Sequence, residues 1–404
     1  MTTHDLPIGR RIAQLRARRR MTQQMLADRL GKSKSWVDKV ERGVRALDRF
    51  TVIQDLAAVL RVDPVALLGR DALPSQAARA AVHGVDGVRA ALARYDTALT
   101  GPQVRAAPPA GELGRRVRHA WLTYQHADYP QLLRMLPELL GDAQHAHSAH
   151  ADGGDGDGAA ELLVQAYRIA SSVLVKLGEG DLGWLAADRA MSVATGDPLL
   201  VAAAAVPLGQ ALRVLDRPRP ALSVTIAAAH RISPRVWRDG PRRDPALRGT
   251  LLVQAALAAA GFGDERSARE LIDQAAGIAD ETGEGHGRHW TSFGPTAVEL
   301  ARVAAAVELG VGTEAVILHE RVVGADDWRR LPAEHRAAYL LDATRAYLQL
   351  GDPLAAGRAL VDADRTAPAE VRLRPVARTL LTDLTRHGPV PADVARLAMV
   401  LGIG

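Results

Sequence analysis

Five times between residues 178 and 363 the chain sets down a turn-forming residue, a small residue five positions later, and another compact apolar residue seven beyond that. The triplets are Gly178, Gly183 and Ala190; Asp216, Ala221 and Ala228; Gly263, Ala268 and Ala275; Gly310, Ala315 and Val322; Gly351, Ala356 and Ala363. Successive copies lie 38, 47, 47 and 41 residues apart. Small residues at fixed places let paired helices approach closely, and a period near 40 is the mark of a stacked helical array. Composition agrees, because aromatics are only 4%, alanine is abundant and β-branched runs are scarce. An all-α fold is expected. The chain has no cysteine, so disulfides, thiolate zinc sites and cysteine nucleophiles are excluded.

The last copy, AYLLDATRAYLQLGDPLAAGRALVDADRTAP, resembles a tetratricopeptide (TPR) repeat down to Pro368 after its second helix. The other copies are longer, so the resemblance is to a TPR-like α-solenoid. Segment 112–147 should add a weaker first repeat and 371–402 a capping pair. In such arrays the first helix of each pair faces the concave groove. Carried over repeat by repeat, this implies inward positions at Gln165, Arg168, Ser172, Gln210, Arg213 and Arg345, with an apolar middle at Val253, Leu257, Leu300 and Ala304. Such a groove suits a short peptide or an amphipathic anion; arginines salt-bridged to neighbouring helices are the alternative. A loop inserted between repeats, GEGHGRHWTSFGPT at 283–296, adds His289, Trp290 and Phe293. It either plugs the core of the array or lines a ligand site. The effector-contact candidates are therefore Arg168, Gln210, Arg213, Trp290, Phe293 and Arg345.

The net charge of +5 hides an asymmetry: residues 1–70 carry +8 and the remainder −3. Lysine is rarer still. Of 51 basic residues only four are Lys, and Lys32, Lys34 and Lys39 fall within GKSKSWVDKVERG; the fourth is Lys176. Around that stretch Ile8, Ile12 and Leu15 recur at helical spacing. Thr22 and Ser33 are N-cap candidates for a second and a third helix, and Gly31 supplies the turn between them. TVIQDLAAVL and DPVALLG complete five short helices. Two helices joined by a tight Gly-containing turn make a helix-turn-helix.

Residues 8–69 resemble the Xre-type (phage-repressor-like) helix-turn-helix family, through TQQMLADRLG, SKSWVDKVERG and LAAVLRVDPVALL. The resemblance implies a third helix that docks in the DNA major groove. Lys34, Ser35 and Lys39 would face base edges, with Ser33 at the helix start. Lys32 and Gln23 would meet phosphate, Trp36 would be half core and half phosphate contact, and Arg42 and Arg45 would flank the far strand.

Several chemical-looking motifs dissolve on inspection. GKS at residues 31–33 ends like a Walker A loop, but the required earlier glycine is Leu26 and no strand precedes it. GEGDLG at 178–183 follows a helix and doubles as a repeat turn, which argues against dinucleotide binding. HAHSAHADGGDGDG sets His145, His147 and His150 beside three aspartates, yet its low complexity reads as an inter-helix loop rather than a metal site. No catalytic constellation remains, so neither an enzyme nor a cofactor is expected.

The N-terminus lacks the apolar segment of a signal peptide, and PLLVAAAAVPLGQAL reads as a buried helix rather than a membrane span. The expected organisation is a DNA-binding head at 1–70, a connector helix and linker at 71–111, and a TPR-like body at 112–404. It resembles peptide-sensing helix-turn-helix/TPR regulators, most closely those of high-GC actinobacteria. A cytoplasmic transcriptional regulator is expected, acting on double-stranded DNA as a homodimer held by its body or by a connector helix around Val88 to Leu99. The effector would be a peptide or small molecule. The alternative is a scaffold whose body docks a partner protein.

Overall fold

A computed structural model of the chain describes residues 8–403 apart from 46, 48–49, 61, 63–66, 68–75, 95–107, 150–155, 234–243, 287–288, 326 and 387–389. Its elements are α-helices, with one 3-10 turn and one two-stranded ribbon among them. The head holds α1 (Ile8–Arg18), α2 (Gln23–Leu30), α3 (Lys34–Glu41) and α4 (Phe50–Val59). The fifth helix expected at 63–69 lies largely outside the described residues, although Leu67 is buried with Ile12, Leu26, Val37, Val40 and Leu56 in a core belonging to the head alone.

The connector departs from expectation. Its helix, α5 (Gln76–Leu92), starts well before Val88 and ends before Leu99. Residues 95–107, which include the rest of that stretch, lie outside the described residues. Val85, Val88 and Leu92 are buried in the same core as Leu133 and Leu136. A Cβ on Gly84 would fall 2.7 Å from the Leu133 Cβ, so only glycine permits this approach. The described part of the connector expected, with the body, to hold a dimer is thus packed within the chain up to Leu92.

Six antiparallel pairs follow. They are α6 (Ala110–Gln125) with α7 (Tyr129–Ala149), α8 (Gly156–Lys176) with α9 (Gly180–Val193), α10 (Pro198–Val214) with α11 (Pro218–Arg231), α12 (Pro245–Gly261) with α13 (Glu265–Thr282), α14 (Pro295–Leu309) with α15 (Gly312–Gly324), and α16 (Ala333–Leu350) with α17 (Pro353–Thr366). The first is the weaker repeat anticipated at 112–147. After a short α18 (Pro368–Arg372), helices α19 (Pro375–Arg386) and α20 (Ala392–Val400) cap the last pair, burying Leu380, Leu384, Val394 and Leu397. Among the described residues no helix is long and apolar enough to cross a membrane, and PLLVAAAAVPLGQAL lies in the buried α10.

Local chemistry explains the pairs. At all five expected turns the backbone is left-handed: φ is 83° at Gly178, 54° at Asp216, 87° at Gly263, 81° at Gly310 and 84° at Gly351. Proline opens α10, α12 and α17 at the first helical position, where no intrahelical donor is needed. The preceding Asp197, Asp244 and Asp352 carboxylates accept the backbone N–H of Leu199, Leu247 and Ala355. The small residues of the repeat are buried: Gly183 lies against Val175, and Ala221, Ala268, Ala315 and Ala356 are all inaccessible. His145 and His147 correct another expectation. They lie on α7 rather than in a loop, because the buried Ala143 and Ala146 keep that helix packed to Ala149; His150 lies outside the described residues.

The inner helices α8, α10, α12, α14 and α16 each pack on the next, and α6 closes against α16. The array therefore curls until its first pair meets its last. The closure is polar. Glu370 on α18, wholly buried, accepts from Lys176 Nζ at 2.6 Å, Arg374 Nη1 at 2.5 Å and the Tyr129 hydroxyl. Lys176 also pairs with Glu334, which accepts from the Tyr124 hydroxyl at 3.2 Å. The one lysine outside the head sits at this junction.

Candidate functional site

In the head, Thr22 Oγ1 accepts the Met25 N–H at 3.1 Å and Ser33 Oγ the Trp36 N–H at 3.0 Å, so both anticipated caps start their helices. Gly31 turns between them at φ 64°. A Cβ on Gly9 would lie 2.1 Å from the Val40 carbonyl oxygen, which is how closely α1 crosses the end of α3. Arg16 clamps the buried Glu41 with two hydrogen bonds of 2.5 and 2.9 Å. The Gln23 amide also donates to Glu41, at 2.9 Å. Gln23, expected at phosphate, is here part of that network. The network carried no sequence signal, since Glu41 reads as an ordinary helix-end carboxylate. Trp36 is 8% exposed in the docked chain and packs in the head's apolar cluster, the core half of its expected role.

Lys34, Ser35 and Arg42 are exposed on α3 and at its end, and Lys39 is half-buried. Arg42 is paired with Asp38 one turn earlier, at 3.1 Å. Lys32 and Arg45 are elsewhere engaged. Lys32 Nζ lies 2.7 Å from Asp216 Oδ2, and Arg45 Nη2 lies 2.9 Å from Asp216 Oδ1. Arg45 also donates to the Gly261 carbonyl at 3.1 Å. Their anticipated phosphate partner is replaced by a carboxylate of the body, because the head is docked across the rim of the array.

The six inner helices and the ribbon β1 (Gly285–His286) with β2 (Ser292–Phe293) surround a lumen of about 360 Å³. Arg168, Ser172, Gln210, Arg213, Val253, Leu257, Leu300 and Ala304, inferred as inward-facing, all line it. Arg168 is the distinctive group. It is 3% exposed, donates to Gln165 Oε1 at 2.8 Å, and lies 5.2 Å from the Trp121 ring centre. Among the described residues no carboxylate forms a salt bridge with it; burial pushes its guanidinium down to about 10, with Asp244 partly offsetting the shift. Arg213 donates to Gln254 at 3.1 Å.

The inserted loop both plugs the core and lines the lumen. Phe293 is buried in the array core, its ring filling the space that a Cβ on Gly249 would need. Trp290, at φ 60°, stacks on Trp121 with centroids 6.0 Å apart and planes at 10°, forming an aromatic wall. Arg345 is a correction. It lines the space beneath the head rather than the main lumen, and pairs with Glu308 at 2.8 Å and Asp342 at 3.4 Å. Burial would raise the Glu308 carboxyl, but Arg345, with Arg45 beyond it, holds it at about 2. This arginine is the salt-bridged kind.

A family model described as a helix-turn-helix domain matches residues 7–68. No curated protein matches the sequence. Among solved structures, the chain is similar to the crystal structure of Bacillus thuringiensis PlcR in complex with the peptide PapR7 and DNA. The sequences are 14% identical, the match covers 68% of this chain and 94% of that one, and the TM-score is 0.27.

Proposed function

We propose that the chain is a cytoplasmic, DNA-binding transcriptional regulator of Xre type whose TPR-like body, from about residue 112, senses a peptide or small-molecule effector and holds a homodimer. The observation that carries the DNA half is the capped α2–turn–α3 unit with Lys34 and Ser35 exposed on its third helix. A positive head also supplies the phosphate attraction on which such binding depends. Two heads set one helical turn apart, about 34 Å, would read a near-palindromic site.

Base reading and phosphate contact are separable. Lys34→Ala or Lys39→Ala should cost about 1–3 kcal/mol on the specific operator and little on random duplex, in titrations at fixed salt. Equal losses on both would leave those lysines only phosphate to touch.

For the sensing half, the supporting observation is Arg168, a buried cation with no salt-bridged carboxylate among the described residues, beside an aromatic wall. A lumen of about 360 Å³ suits a compact anionic or carboxylate-ended ligand rather than a folded partner protein inside it. Native mass spectrometry of the purified chain tests for such a ligand. Arg168→Met should then weaken its binding about 5- to 150-fold, because the ligand's anion loses its partner. The same change should leave the fold as stable or more so, since it removes a buried charge that forms no salt bridge among the described residues. Unchanged affinity would move the site elsewhere.

A further inference from the structure

The α10–α11 turn differs from the four other turns of the repeat triplets, all built on glycine; the α6–α7 turn, with Ala127 at φ 58°, also lacks one. Gly178, Gly263, Gly310 and Gly351 hold the left-handed conformation without cost, whereas Asp216 holds it at φ 54° with a side chain. Aspartate tolerates this region better than most residues, yet glycine would be the unstrained choice. The carboxylate does what glycine could not. Each of its oxygens takes one cation of the head, Lys32 at 2.7 Å and Arg45 at 2.9 Å, and its side chain is only 11% exposed.

The surrounding contacts bring the body up to one side of the face that would enter DNA, beside Lys39, while Lys34 and Ser35 stay exposed. A crevice is left in which Ser35, Trp36 and Lys39 face Arg217, Pro218 and Phe262. A helix that reads the major groove, about 12 Å wide, must be free along its outer face. At about 360 Å³ this crevice is far smaller than a duplex. The other hydrogen bonds to the head's backbone are long: Gln349 to the Val44 carbonyl at 3.4 Å and Thr379 to the Leu47 carbonyl at 3.5 Å. The apolar core of the head is built from head residues alone; of these, Trp36, Leu47 and Val52 face the body at its edge.

We infer that the α10–α11 turn is a docking surface for the chain's own recognition helix, with Asp216 standing where a DNA phosphate would. The docked chain is then a DNA-free state, an inference that rests on the DNA-binding reading above. Lys32 and Arg45 serve two alternative anions. DNA affinity is divided by the fraction of heads released, so weakening the dock raises apparent affinity without touching a DNA contact.

Asp216→Gly is the direct test, because it installs the residue that the sister turns use and removes only the carboxylate. Asp216→Asn removes the charge and keeps a residue that tolerates the left-handed turn. Both should bind the same duplex about 10- to 150-fold more tightly than the wild type at one salt concentration. Asp216→Gly should melt no lower than the wild type. Equal affinity of all three proteins would overturn the dock and leave the DNA-binding reading standing. Failure of all three to bind any DNA would overturn that reading instead. The dock is then judged by distance: the chain lacks cysteine, so Gln24→Cys and Leu354→Cys can be labelled cleanly in the full chain. Energy transfer between the labels should fall on adding Asp216→Gly, and an unchanged transfer overturns the dock.

Discussion

Replacing Glu370 with alanine should cost about 3–5 kcal/mol of stability in urea titrations, the usual penalty for breaking a buried ionic cluster by removing one partner. Glu370 is wholly inaccessible and draws in Lys176 from the end of α8, Arg374 from just before α19 and the Tyr129 hydroxyl from the start of α7. Those groups lie up to 241 residues away in the chain, so this one carboxylate joins the two ends of the array. Its loss leaves Arg374 and Tyr129 facing each other without an acceptor. Burial alone would raise the Glu370 carboxyl, but Lys176 and Arg374 outweigh it and hold it below its ordinary value. The folded state therefore favours the ionised form. Its contribution is complete above the unfolded carboxyl value of about 4.3 and is lost as pH falls through the lower folded value. Wild type and variant should converge in acid. A loss under about 1 kcal/mol at neutral pH would mean that the ring closes without this cluster.

Phe293→Ala should be of similar size, about 3–5 kcal/mol, because it empties a well-packed site in the array core. The ring sits over Gly249, whose missing Cβ makes its room, and neither backbone moves easily to fill the space. It also pins β2 and hence the loop carrying Trp290, so the aromatic wall should loosen with it. The expected signature is a lower denaturant midpoint together with altered tryptophan fluorescence from the Trp121–Trp290 stack. Gly249→Ala should destabilise by about 1–3 kcal/mol through overpacking at the same contact. If Phe293→Ala leaves the midpoint unchanged while ligand affinity falls, Phe293 belongs to the ligand site rather than the core.

The two variants differ in how far the sequence alone could have identified their residues. Phe293 stood out as an aromatic in an otherwise polar insertion, so its importance was visible, though its role was not. The glutamate at 370 had no such mark. It follows a helix-ending proline and looks like one more surface carboxylate until α18 is placed against α7 and α8. Arg345 shows the opposite error. It occupies the inward position of its repeat, but the face it points to is covered by the head and already supplied with Glu308 and Asp342.

By itself the sequence determined the helices, their caps, the five left-handed turns, the inward faces of most pairs and the helix-turn-helix. All of these follow from interactions within a few residues: helical periodicity, a cap accepting a nearby N–H, a glycine free of Cβ strain, or a small residue where two adjoining helices cross. Tertiary structure alone decided that the array closes into a ring, that α5 packs against its first pair, and that the head lies over its rim. Ring closure and docking depend on single polar pairs such as Tyr129 with Glu370 and Lys32 with Asp216, separated by more than 180 residues. Such pairing has no local pattern, because an aspartate in a turn satisfies turn chemistry whatever its carboxylate later meets. The lysines of the head could be read as ligands for an anion. Only the folded chain brings Asp216 to one of them.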